Sequence, residues 1–248
     1  MNTQTKKLDF NLGIIAAGEG LRLKEEGINI PKPLVEINGV PLIQRIIDIA
    51  LKNGVDSIAC IINEELPELE EYLLNKNSLL PFNLIVKSTQ SSFHSFHQIS
   101  RFFEPPFLLT TTDSVFRDDE FTEFLKYSMN CNKADAVLAV TDFVDDEKPL
   151  FVEVEEDSRI VSLIDKNKDY EFVTGGLYLF KNDIKKYIDE AAEQGINRLR
   201  NFLRYLLQKK LRMYAYPFSK IIDVDHVSDI KEAEDFLTNC FSNKNGQK

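Results

Sequence analysis

An apolar run, Leu12-Gly13-Ile14-Ile15-Ala16-Ala17, breaks directly into Gly18-Glu19-Gly20-Leu21-Arg22-Leu23, and Lys32-Pro33-Leu34 stands ten residues past the arginine. A short apolar run bounded by glycine reads as a buried strand, which commits the chain to a sheet covered on both faces. A strand ending in small residues lets the backbone approach a ligand closely, and glycines leave amide N–H groups free to point at phosphate. Arg22 and Lys32 add two cations at fixed reach, so the stretch reads as a grip for a triphosphate. Two familiar phosphate loops do not fit it. A Walker loop needs Lys-Ser/Thr after its second glycine, and Gly18 is followed by Glu19; the dinucleotide fingerprint needs a third glycine at position 23, which is Leu23.

Strand-like runs alternate with helical patterns through the first half, which predicts a mostly parallel sheet with helices on both faces. Strands are expected over residues 10–16, 57–62, 83–87 and 107–111, and helices from position 41, over 65–75 and over 92–103. In the helix opened by Pro41, Leu42, Ile46, Ile47, Ala50 and Leu51 share one face, and Asn53-Gly54 stops it. In the second half, residues 134–141, 150–155, 160–164 and 172–180 are strand-like without long helices between them, so antiparallel pairing is expected. Helices over 182–194 and 198–209, short strands over 212–216 and 220–224, and a helix over 227–241 complete the pattern.

With 248 residues and 43% apolar content the chain can bury a full core as one domain, with 1–130 as a nucleotide-binding half, 131–242 as an acceptor-binding half and 243–248 as a frayed tail. A net charge of −10 argues against nucleic acid and anionic membrane as partners, since both reward a basic face. Cys60, Cys131 and Cys240 are too far apart for zinc spacing and odd in number, which suggests reduced thiols in a cytoplasmic protein. The first seven residues are polar and no apolar run is long enough to span a bilayer, so no export is expected. Oligomeric state is left open.

The 12–34 stretch resembles the signature of the sugar-phosphate nucleotidyltransferases, the NDP-sugar pyrophosphorylase superfamily: roughly Leu-Ala-Ala-Gly-x-Gly-x-Arg-Leu, a short loop, then Pro-Lys-Pro-Leu. The resemblance implies a Rossmann-like three-layer α/β/α fold with a mixed, mostly parallel central sheet. It also implies Mg²⁺-dependent transfer of an NMP group from an NTP to a sugar 1-phosphate, giving an NDP-sugar and pyrophosphate. Ala16, Ala17, Gly18, Glu19 and Gly20 would then bind nucleotide, with Arg22 and Lys32 as the catalytic cations. Asp113, just past the strand over 107–111, matches the superfamily's metal-binding aspartate. The second metal ligand falls in Lys220-Ile221-Ile222-Asp223-Val224-Asp225, with Asp225 the first choice and Asp223 the second. Two aspartates suit magnesium, which takes hard oxygen ligands and keeps several waters. Side chains two apart on a strand share a face, so both are expected to look toward one ion.

On the acceptor side, Asp165-Lys166 and Gly175-Gly176-Leu177-Tyr178 resemble the relatives' Glu-Lys-Pro and Gly-x-Tyr. Lys166 inherits a contact to the sugar phosphate, Gly176 a backbone contact to the sugar, and Asp165 a hydroxyl. Where relatives use a Gly-Thr-Ala-x-Ala-Leu turn near the base, this chain has Ser88-Thr89-Gln90-Ser91-Ser92-Phe93, so Ser91 and Ser92 are candidates both for ligand contact and for capping the next helix. Other departures are Leu21, in place of the usual serine or threonine, and Asn167, in place of proline. The left-handed β-helix of some relatives is not found, so acyltransferase activity is not expected. His94 and His97 read as helix surface. Two rivals stay open: a CTP-dependent cytidylyltransferase acting on phosphocholine or an alditol phosphate, and a non-catalytic nucleotide-sugar-binding regulatory protein.

Overall fold

A computed structural model describes residues 8–18, 20–75, 80–144, 148–166 and 170–244, with side chains as far as residue 238. In chain order the elements are β1 (Phe10–Ala16), α1 (Leu21–Glu25), a single 3₁₀ turn (Lys32–Leu34), the hairpin β2 (Glu36–Ile37) and β3 (Val40–Pro41), α2 (Leu42–Lys52), β4 (Val55–Ile62), α3 (Pro67–Asn75), β5 (Phe82–Val86) and α4 (Ser92–Ser100). Then come β6 (Phe107–Thr111), β7 (Ser114–Val115), α5 (Asp118–Asn130), β8 (Ala136–Thr141), β9 (Phe151–Val154), β10 (Ile160–Ile164) and β11 (Phe172–Phe180). The chain continues through α6 (Lys185–Glu193), α7 (Leu199–Gln208), β12 (Met213–Pro217), β13 (Ile222–Asp223) and α8 (Val227–Lys244).

Side-chain alternation along β1 sets the layers. Leu12, Ile14 and Ala16 pack into one core with Ile46 of α2, Leu69 of α3 and Phe124 of α5. Ile15 points the other way, into a second core with Phe96 of α4, Ile188 of α6 and Phe202 of α7. Helices therefore cover both faces of the sheet, as the alternation of strands and helices predicts. On the second face the end of α4 and the turn after it lie so close that a Cβ on Gly13 would come within 3.2 Å of Ile99 and 2.8 Å of the Phe103 ring. Phe96, Phe107 and Phe180 pack with centroids 5.1–6.1 Å apart. Each fully buried phenylalanine contributes about 1.5–3 kcal/mol.

The main sheet runs β10-β9-β11-β6-β1-β4-β5, with β8 on β11 and β12 on β8. Strands β6, β1, β4 and β5 are parallel neighbours, while β11 is antiparallel to β6, β8 and β9. Antiparallel pairing thus enters in the second half, as expected. Strand β11 changes neighbours midway, pairing with β9 through Phe172 and Val173 and with β6 through Leu177–Phe180. Gly175 and Gly176 fill the changeover.

Several elements fall where the sequence reading assigns nothing: α1, the 3₁₀ turn, the β2–β3 hairpin, β7 and α5. Helix α5 buries Phe121, Phe124, Leu125 and Ser128 along one face, and Asp118, Asp119 and Glu120 occupy its first turn, where negative charge complements the helix dipole. That is a helical signature in plain sequence, and the reading overlooks it. A third, smaller core of Leu23, Val35, Ile37, Leu42, Val115, Ile222, Val224 and Ala233 ties α1, the β2–β3 hairpin, the start of α2 and α8 to the β7–β13 ribbon. No described helix is long and apolar enough to cross a membrane.

Candidate active site

Strand β1 lies between β4 and β6, so the chain winds outward in opposite directions from it, and the crevice at the strands' C-terminal ends is the expected ligand position of an open α/β sheet. A cleft of about 620 Å³ opens there. Gly18, Gly20, Arg22, Lys32, Asp113 and Asp225 all line it, and Thr89, Ser91, Ser92 and Ser95 form its opposite flank.

The loop after β1 is shaped by Gly20, which adopts φ +62° and ψ 37°, a left-handed conformation costly to most other residues, and starts α1 from it. A Cβ there would lie 2.9 Å from the Cβ of Lys32, so glycine also lets the 32–34 turn approach. At Gly18 an added Cβ would meet nothing within 4 Å. Pro31 and Pro33 flank Lys32 in its 3₁₀ turn, and that lysine is only 9% exposed.

Asp113 and Asp225 meet through a two-stranded ribbon. Strand β13 pairs antiparallel with β7, setting Asp223 opposite Ser114 and Ile222 opposite Val115, and the Val224 N–H donates to the Asp113 carbonyl at 3.0 Å. Just beyond, Lys32 Nζ donates to Asp113 Oδ2 at 2.9 Å and to Asp225 Oδ1 at 2.5 Å. Arg22 Nη1 donates to the other oxygen of Asp225. Burial alone would lower the Lys32 ammonium pKa, but the two aspartates hold it well above its ordinary value. Burial would likewise raise the Asp113 carboxyl, yet Lys32 and the Thr111 hydroxyl hold it below the usual carboxylate range.

The remaining candidates scatter around this centre. Ala16 is buried beneath the cleft and Ala17 lines it, while Glu19 and Asn167 lie outside the described residues. Ser91 caps α4: its Oγ accepts the His94 N–H at 3.5 Å and lies 2.9 Å from His94 Nδ1. Ser92 Oγ accepts the Leu199 N–H at 3.3 Å. Asp223 does not line the main cleft; it accepts the Ser114 hydroxyl at 2.9 Å and borders a small neighbouring cavity of about 20 Å³. Gly176 has φ +76°, and a Cβ on it would meet Ser114 Oγ at 2.4 Å and Thr111 Oγ1 at 3.1 Å, which sets its backbone against the end of β6. Asp165 is paired with Arg200 Nη1 at 2.9 Å and Arg204 Nη2 at 2.8 Å, both from α7. Lys166 is exposed.

The profile of the nucleotidyl transferase family matches residues 13–239, spanning both the glycine loop and the ribbon that carries Asp225. The chain belongs to that family. Among relatives of this nucleotidyl transferase, the bifunctional protein GlmU of Methanocaldococcus jannaschii is 27% identical over 90% of the chain, and the chain spans about half (53%) of that relative's length. D-glycero-alpha-D-manno-heptose 1-phosphate guanylyltransferase of Campylobacter jejuni is 24% identical over 90% of the chain and 95% of its own. The solved inositol-1-phosphate CTP transferase of T. maritima superposes with a TM-score of 0.74 at 20% identity, covering 92% of this chain and 97% of that one, and so shares the fold.

The donor set of this nucleotidyl transferase suits a hard divalent cation. Asp113 and Asp225 present carboxylate oxygens to the same ammonium, so they stand close enough to share one ion, and magnesium is commonly held by two carboxylates with phosphate and water completing the shell. Thr89, Ser95, Thr111 and Thr112 also line the cleft, though the sequence reading does not single them out. The signal was available for two of them: Thr111 and Thr112 stand at a strand's C-terminal end beside Asp113.

Proposed function

We propose that this chain transfers an NMP group from an NTP to a sugar 1-phosphate, releasing pyrophosphate and forming an NDP-sugar. The observation that carries the reading is the convergence of Gly18, Gly20, Arg22, Lys32, Asp113 and Asp225 on one cleft at the strand ends. Backbone amides of the glycine loop face the phosphate chain, and Arg22 and Lys32 neutralise charge building on the α-phosphoryl group and the departing pyrophosphate. Asp113 and Asp225 would hold Mg²⁺, which would supply further positive charge against the phosphates. The attacking group is a phosphate monoester with a second pKa of about 6, already largely dianionic at neutral pH, so no side chain need act as general base. The cleft accordingly works by positioning and electrostatics.

The acceptor enters from the β11 side, where the Gly176 backbone, Lys166 and the arginine-bound Asp165 form the second half of the reading. Asp223 serves the ribbon through Ser114 rather than the ion.

The test is pyrophosphate release from the purified chain with Mg²⁺, each NTP in turn, and a panel of phosphorylated sugars and alcohols. Release with a sugar 1-phosphate is the expected result. Release with CTP and an alditol phosphate or phosphocholine alone would replace the sugar acceptor with the cytidylyl reading, which the hydroxyl-rich flank of Thr89, Ser91 and Ser92 keeps in view. Silence with every pair would turn the assignment to a nucleotide-sugar-binding regulatory protein.

A further inference from the structure

Asp225 and His226 carry no regular structure before α8 begins at Val227, yet Asp225 must hold its carboxylate against both Arg22 and Lys32. Two other carboxylates, neither lining the cleft, grip the backbone of this short segment. Asp229 Oδ2 accepts the N–H groups of Asp225 at 2.9 Å and His226 at 2.6 Å. It stands three residues past His226 in the first turn of α8, where the acidic member of a capping box reaches back to the N-cap amide. Glu26, just past α1, reaches across 201 residues of sequence. Its Oε2 accepts the Val227 N–H at 2.7 Å, and its Oε1 lies 2.6 Å from His226 Nδ1. The Val227 N–H is one of the amides that the start of α8 leaves without a helical partner.

Glu26 therefore runs parallel to the Arg22–Asp225 pair: both join the α1 segment to residues 225–227, one through the reacting cleft and one behind it. Building on the transferase reading, we infer that Glu26 is a positioning residue for the divalent-cation centre, fixing the 225–227 backbone from the α1 side while Asp229 fixes it from α8. Neither carboxylate touches substrate. Their effect passes through the placement of Asp225, and a ligand carboxylate displaced by even 1 Å gives up much of its contribution.

The experiment compares wild type, Glu26→Ala and Glu26→Gln in three measurements: Mn²⁺ affinity by electron paramagnetic resonance without nucleotide, amide hydrogen exchange over residues 222–229, and steady-state kinetics. Glu26→Ala should weaken Mn²⁺ binding and lower kcat by about 10-fold each, the lower end of what losing a ligand-orienting partner costs, with the KM for NTP within about twofold of wild type. Exchange should quicken at 225–227 and stay unchanged in the main sheet. Glu26→Gln keeps an oxygen for the Val227 N–H and should recover most of the Mn²⁺ affinity; it also carries the same readouts if the alanine variant unfolds. Unchanged Mn²⁺ affinity or unchanged exchange in the alanine variant overturns the inference. Absence of pyrophosphate release in wild type would fail the transferase reading instead, leaving the metal and exchange measurements to decide on Glu26.

Discussion

Two charge clusters in this molecule are built as opposites. In the cleft, one lysine sits between two aspartates, Asp113 and Asp225, and is almost fully buried. In the second half of the chain one aspartate, Asp165, sits between two arginines, with its side chain 51% exposed. Burial pushes the pKa of the Tyr178 hydroxyl up to about 12. A cation held by carboxylates can give way to another cation, as a metal centre requires. A carboxylate held by arginines leaves cationic charge in excess, which suits the approach of a phosphorylated acceptor.

The sharpest way to break the contrast is Asp113→Asn. Removing one carboxylate from the lysine-centred cluster should cut turnover by at least ~100-fold, the scale for loss of one electrostatic partner of a transition state. Circular dichroism and thermal melting should show the fold retained. An unchanged rate would remove Asp113 from the mechanism.

Lys32→Gln sharpens the comparison in a direction that a purely structural lysine would not predict. It should depress turnover while tightening nucleotide-free Mn²⁺ binding by on the order of 10-fold, because the ammonium competing for both aspartates has gone. Weaker Mn²⁺ binding in this variant would contradict the cluster's role as a cation exchanger.

The arginine-centred cluster should respond more gently. Asp165→Asn is expected to change stability by no more than about 1 kcal/mol, since exposed ion pairs contribute little, and to leave the KM for NTP unchanged. A large rise in acceptor KM would support the direct hydroxyl contact expected of Asp165.

The smallest effect concerns pH. Arg204, ahead of Arg200, holds the Asp165 carboxyl below its ordinary value. The stabilisation it gives is therefore present above the unfolded pKa of about 3.9 and lost as pH falls through the lower folded value. Melting temperature followed from pH 6 downward should fall slightly less steeply in Asp165→Asn than in wild type, and equal slopes would show that the pair contributes nothing.

How much of this was legible in sequence depended on distance along the chain. Strands 10–16, 107–111, 160–164 and 172–180 keep the bounds their apolar runs suggest, because buried strands are written in contiguous residues. The loop from Gly18 to Lys32 was readable for the same reason. Long-range partners were not. Nothing local marks Arg200 and Arg204 as the partners of Asp165, and Glu26 has no signal that ties it to residues 226 and 227. Asp223 and Asp225 stand two apart, but β13 ends at Asp223, so the alternation that sets two strand residues on one face does not extend to the second. Asp223 pairs with a hydroxyl of β7 while Asp225 turns toward the cations.

The β7–β13 ribbon carries a consequence for biogenesis. Its two strands are separated by more than a hundred positions, so a ribosome must pass residue 225 before Asp225 can dock opposite the segment that presents Asp113. A nascent or prematurely terminated product can hold the glycine loop and the first aspartate, but it lacks the second. The pairing of the two aspartates around Lys32 therefore forms only after residue 225 has been made.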